Sequence, residues 1–122
     1  MEFPSEPASV TSLRHRAATF ATEQGADAQL VADVNLAVSE AVTNAVKYAH
    51  EAASDGGIGL TAEVRNGWLE FQITDRGESF GKGSSDGLGL GLAIIARLCD
   101  DLRIVQEGAG TTVQMRFALV RA

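Results

Sequence analysis

Val34 to His50 reads VNLAVSEAVTNAVKYAH. At about 100° per residue, Leu30, Val34, Val38, Ala41, Val42, Ala45 and Ala49 fall on one broad helical stripe. Glu40 and Asn44 sit together on the opposite side, one turn apart. Such a helix buries one face and shows a carboxylate beside a carboxamide on the other. A carboxylate can take a proton, and a carboxamide oxygen is a hard ligand suited to magnesium. Glu and Asn are also ordinary on the polar face of any amphipathic helix, and taken alone this helix fits that plain reading. The glycine segments further along the chain reverse it.

Working outward, Met1 to Phe3 reads as the stub of an edge strand ahead of Pro4 and Pro7, which exclude helix there. Ser9 or Thr11 can cap a first helix running to about Thr22, with Leu13, Ala17, Phe20 and Ala21 inside. Gly25 stops it, and Asp27 caps the long second helix, which ends near Tyr48 to Glu51. Ser54-Asp55-Gly56-Gly57 is a turn cluster. Alternation then replaces the helical period. Ile58, Leu60, Ala62 and Val64 point one way, and Arg65-Asn66-Gly67 leads into a strand from Trp68 to Thr74. Asn-Gly between alternating runs is a strong hairpin signal. Asp75 to Asp86 is a Gly/Ser-rich loop, and Leu90 to Asp101 returns to helix with Leu92, Ile95, Cys99 and Leu102 in step. Strands Leu102 to Gln106 and Thr111 to Leu119 flank a final turn. The element order predicts one α+β domain over residues 1–122, a two-layer sandwich with helices on one face of a mixed, mostly antiparallel sheet.

Composition narrows the function. The chain has 122 residues, long enough for one core. Its formal charge is −6 with no basic cluster, which argues against nucleic acid as a partner. No apolar run approaches the ~20 residues of a membrane helix, and MEFPSEPASV carries no signal-peptide pattern. Cys99 is the single cysteine. With no partner it reads as a small buried hydrophobe in a reducing cytoplasm. His15 and His50 are isolated and read as surface residues.

Asp75-Arg76-Gly77 stands where a strand ends. An Asp there can simply open a turn. It can also accept a hydrogen bond from the exocyclic amine of adenine, with Gly77 letting the base approach the backbone. Gly87-Leu88-Gly89-Leu90-Gly91 runs directly into a helix. Glycine at every second position costs backbone entropy, and amides ahead of a helix N-terminus suit a di- or triphosphate. A dinucleotide fingerprint does not fit, because no parallel strand-helix-strand unit surrounds it. A P-loop does not fit either, because no Gly-Lys-Ser/Thr follows.

In chain order the motifs are Glu-x-x-x-Asn on a helix, Asp-x-Gly after a strand, Gly-x-Gly-x-Gly before a helix, and Gly-Thr-Thr on a closing strand. This combination resembles the GHKL ATPase superfamily with its Bergerat nucleotide fold. Within it the chain is similar to the anti-sigma factor serine kinases of bacterial partner switching. SEAVTNAVKYAH resembles their asparagine box, and GLGLGLAIIARLCDDLRI with GTTVQMRF resembles their second glycine box and last strand. The resemblance runs from about Val10 to Phe117. It implies ATP or ADP and Mg2+ as ligands, with Glu40 as the base for the partner's serine and Asn44 as magnesium ligand. It also implies adenine at Asp75 and Gly77, phosphates at Gly87, Gly89 and Gly91, and a hydroxyl from Thr112 or Thr111 closing the adenine pocket. The partners it implies are a STAS-type anti-sigma factor antagonist, a sigma factor and a second copy of the chain, all in the cytoplasm. Arg14 stands where the family has a contact arginine, and a plain solvated charge is an equal reading.

Three positions depart from the family pattern. Ser79 replaces the second glycine of the first glycine box. Tyr48 stands where many members carry His, at the edge of the apolar stripe. Lys82 is the only basic residue in the short segment between the two glycine boxes, and it reads as a γ-phosphate contact. Two functions follow: a serine kinase that also sequesters a sigma factor, or a nucleotide-holding interaction module without transfer chemistry.

Overall fold

The computed structural model describes residues 2–3, 7–51, 57–75, 86–107 and 110–119. Its elements are β1 (Glu2–Phe3), α1 (Pro7–Glu23), α2 (Ala28–Glu51), β2 (Ile58–Arg65), β3 (Trp68–Asp75), α3 (Asp86–Leu98), β4 (Asp101–Glu107) and β5 (Gly110–Ala118). The strands form one sheet in the order β1-β2-β3-β5-β4. Every described pairing is antiparallel, so the parallel component allowed for in a mixed sheet is absent among them.

Local chemistry sets most boundaries. Pro7 opens α1 rather than excluding helix. A first-turn residue needs no amide hydrogen, and its fixed φ already suits the helix. The end of α1 is a Schellman closure. The Ala26 amide donates to the Ala21 carbonyl (3.0 Å) and the Gly25 amide to that of Thr22 (3.0 Å). Gly25 supplies the required φ of 89°. Asp27 then caps α2, its Oδ1 accepting from the Leu30 amide at 2.8 Å. Between β2 and β3 the chain reverses in two residues, Asn66 (φ 52°) and Gly67 (φ 81°), with Arg65 facing Trp68. Two positive φ values define the turn that suits strand twist.

The core lies between the helices and one sheet face. Leu69, Phe71 and Ile73 on β3 alternate inward, as do Val113, Met115 and Phe117 on β5. Phe71 sits at the centre, meeting Phe20 of α1 and Phe117 edge to face at 6.1 and 6.0 Å. β2 follows this alternation only partly. Ile58 and Leu60 are buried, but Val64 is 41% exposed. β1 pairs only with Ile58 and Gly59, so the rest of β2 has a described strand on one side alone.

Helix α3 begins at Asp86 and ends at Leu98, earlier at both ends than the spacing of Leu92, Ile95, Cys99 and Leu102 suggests. Ile95 and Cys99 are buried as expected. Asp100 stops α3 by joining the sheet. Its amide donates to the Arg116 carbonyl (2.8 Å), and its Oδ2 accepts from the Ala118 amide (2.7 Å). No described helix is long and apolar enough to cross a membrane.

Candidate active site

Helix α2 is enclosed by its neighbours, and this changes the placement of Glu40 and Asn44. It packs against α1, α3 and the sheet. The buried arc therefore takes in Ala37 and Asn44 as well as Leu30, Val34, Val38, Ala41, Val42 and Ala45. Asn44 is only 6% exposed, and Glu40, one turn earlier, is half-buried. The pair does not occupy a solvent face opposite the stripe. It belongs to the margin of the interior.

Four polar residues are buried among those described: Ser9, Asn44, Asp75 and Thr111. Three of the four are residues that the motifs single out, drawn from three distant parts of the chain. Asp75 is 1% exposed and closes β3 on the face that carries Leu69, Phe71 and Ile73. Thr111 is fully buried near the start of β5 and stands directly opposite Asp75 in the ladder. Opposed residues of an antiparallel pair hold their β-carbons about 5 Å apart. The sheet thus sets a carboxylate and a hydroxyl side by side at one end, under the helix layer.

Two buried polar atoms of this set, Asn44 Nδ2 and Thr111 Oγ1, make no hydrogen bond within the described protein. A buried polar atom left unsatisfied costs about 1–3 kcal/mol, so native interiors seldom keep one without a partner. Both are chemically matched to an adenine nucleotide. A hydroxyl beside a carboxylate can meet the edge of a base that carries an amine, and a carboxamide can face phosphate oxygens or a hard cation. No group of three or more His, Cys, Asp or Glu among the described residues could hold a metal ion by itself. Any magnesium would rest on the Asn44 amide oxygen together with the phosphates.

Strand alternation puts the two threonines on opposite faces of the sheet. Thr112 is on the helix-free face, where its hydroxyl meets that of Thr74 at 3.2 Å. It does not join Asp75, and Thr111 does. Thr74 was not distinguishable as a site neighbour from its own strand, because only the register of β3 against β5 reveals its partner. Gly87, Gly89 and Gly91 lie within α3 rather than ahead of it. A helix starting at Asp86 leaves only its first-turn amides, around Gly87, without intrahelical acceptors. Gly77, Ser79 and Lys82 lie outside the described residues, as do the side chains of Tyr48 and His50. Arg14 and His15 are exposed on α1. A separate groove of about 660 Å³ opens between α1 and β2, lined by His15, Arg16, Phe20 and Leu60 among others, and Glu40, Asn44, Asp75 and Thr111 do not line it.

The fold, the buried trio and the motif order define a class. A family model for the histidine kinase-like ATPase domain matches residues 3–117, and the chain belongs to that family. Among curated relatives it is similar to the serine-protein kinase RsbW of Bacillus licheniformis, with 33% identity covering 99% of this chain and 85% of the relative. It is also similar to RsbW of Bacillus subtilis strain 168, at 31% identity over 94% of this chain and 81% of that one. Among solved structures it resembles the RsbU and RsbW domains of a Mycobacterium tuberculosis protein. The TM-score there is 0.78 and the identity 26%, over all of this chain and 33% of the other, so the chain spans a third of that structure. A histidine kinase domain from a blue-light activated kinase of Erythrobacter litoralis shares the fold, with a TM-score of 0.65 at 23% identity over 90% of this chain and 61% of that one.

Proposed function

We propose that this chain is an ATP- and magnesium-dependent serine protein kinase that phosphorylates a STAS-type anti-sigma factor antagonist and, when unopposed, sequesters a sigma factor. In this reading it works as a cytoplasmic homodimer. The observation that carries it is the selective burial of Asn44, Asp75 and Thr111, with two of their polar atoms unpartnered among the described residues. Relatives named as serine-protein kinases across nearly the whole chain support the same reading.

ATP supplies the phosphoryl group, and magnesium offsets the charge on its phosphates. The Asp75 carboxylate accepts from the base amine, with the Thr111 hydroxyl beside it. Asn44 offers its amide oxygen to the metal. The first-turn amides of α3 face the phosphates. Glu40 is four residues before Asn44 on the same helix. Its carboxylate would take the proton from the partner's serine hydroxyl as that oxygen bonds to the γ-phosphorus and the bond to the β–γ bridging oxygen breaks, releasing ADP. Phosphoryl transfer depends mainly on positioning and charge neutralisation, so one base and one metal ligand on a rigid helix suffice.

The test uses labelled ATP, magnesium and a STAS-domain antagonist. Wild type forms phosphoserine on the antagonist. Glu40→Gln loses transfer by about 100-fold or more while still binding nucleotide. Nucleotide binding without transfer to any antagonist would instead identify an interaction module that only holds its ligand.

A further inference from the structure

We infer that the hydroxyl pair Thr74–Thr112 positions Asp75 against Thr111 and thereby tunes discrimination of the nucleotide base, an inference that rests on the nucleotide reading above. Thr74 faces Thr112 in the ladder, and the next pair is Asp75 with Thr111. That second pair is the last described rung between β3 and β5 at this end of the sheet. Side chains alternate along a strand, so the threonine pair lies on the helix-free face while the site pair points under the helices. Consecutive α-carbons are only ~3.8 Å apart. A change in strand spacing at the threonine rung therefore reaches the site rung directly.

The row itself isolates the tie. Thr74 is flanked on β2 by Gly59, and Thr112 on β4 by Val105. Neither neighbour offers a polar side chain. The two hydroxyls meet each other across that row at 3.2 Å. Deeper in the sheet the same face is knitted differently, with Gln72 and Gln114 both donating to Glu70 Oε1 at 2.9 Å. The threonine bond is thus the polar tie nearest the site and does not duplicate the glutamine clamp. Thr74 and Thr112 touch no nucleotide in this account; they are positioning residues acting through their chain neighbours.

The experiment measures dissociation constants for ATP and ITP by calorimetry in wild type, Thr112→Val, Thr112→Ser and Asp75→Asn. ITP carries a carbonyl where ATP carries the amine, so it presents an acceptor to a carboxylate. Valine keeps the β-branched shape and removes the hydroxyl. Serine keeps the hydroxyl and is the poorer strand former. The ITP-to-ATP ratio should shrink about threefold in Thr112→Val, the scale of one cross-strand pair, and stay at the wild-type value in Thr112→Ser. A ratio unchanged in Thr112→Val, or equally reduced in Thr112→Ser, overturns the inference. If Asp75→Asn abolishes discrimination and Thr112→Val does not, the nucleotide site stands and only the positioning role falls. Wild type that binds neither nucleotide removes both.

Discussion

Asn44 shows the tension between stability and function within one side chain. Its amide nitrogen is buried without an acceptor among the described residues, on a helix whose Ala37, Ala41 and Ala45 are also buried. Leucine has the same number of side-chain heavy atoms in the same branched arrangement and no polar group to desolvate. Asn44→Leu should stabilise the nucleotide-free protein by about 1–2 kcal/mol in denaturant unfolding and lose magnesium-dependent nucleotide binding. A destabilised apo protein would show that the amide has a partner in solution. Glu70, on the helix-free face, is a structural counterpart. Hydrogen bonds from Gln72 and Gln114 hold its carboxyl below the ordinary value of 4.5, opposed by burial and aided by the Arg116 and Arg65 charges. Its folded value lies below its unfolded one. The stability it contributes is therefore complete above the unfolded value and drains away as pH falls through the folded one. Glu70→Gln should flatten the loss of thermal stability between about pH 6 and pH 3. An acid limb identical to wild type would assign that loss to other carboxylates.

Among the elements, α2 carries both the core and the chemistry, so its ends matter. Asp27 Oδ1 satisfies the Leu30 amide. Asp27→Ala should cost about 1 kcal/mol in denaturant unfolding, and Asp27→Asn much less. Equal losses in the two variants would point to charge rather than capping. The elements also show what a sequence reveals. The β2–β3 hairpin was legible because Asn66-Gly67 suits two positive φ values and little else does. The closure of α1 at Gly25 was legible for a related reason. The start of α3 was not. Gly87, Gly89 and Gly91 each lower helix propensity by about 1 kcal/mol, so local reading favours loop. Packing of Leu92 and Ile95 on the core extends the helix back over them. The apolar stripe of α2 was legible, but its widening to Ala37 and Asn44 was not, since periodicity finds the stripe facing one layer and cannot anticipate enclosure by α1, α3 and the sheet together.

At the scale of the whole molecule, topology builds the candidate site. Asp75 and Thr111 lie far apart in sequence. They become opposed neighbours because β4 goes to the sheet edge and β5 inserts beside β3. The order of motifs along the chain suggested that meeting through family resemblance. Register alone sets Thr111, and not Thr112, opposite Asp75. The helix layer then covers that end of the sheet and leaves polar groups in a dry interior, where each hydrogen bond to a ligand counts for more than in water. The most direct measurement is calorimetric titration of ATP with magnesium into wild type and Asp75→Asn. Wild type should bind saturably and the variant at least about tenfold more weakly, the scale of one hydrogen bond to a charged group. Equal affinity in the two proteins, or no binding by wild type, would contradict the nucleotide reading.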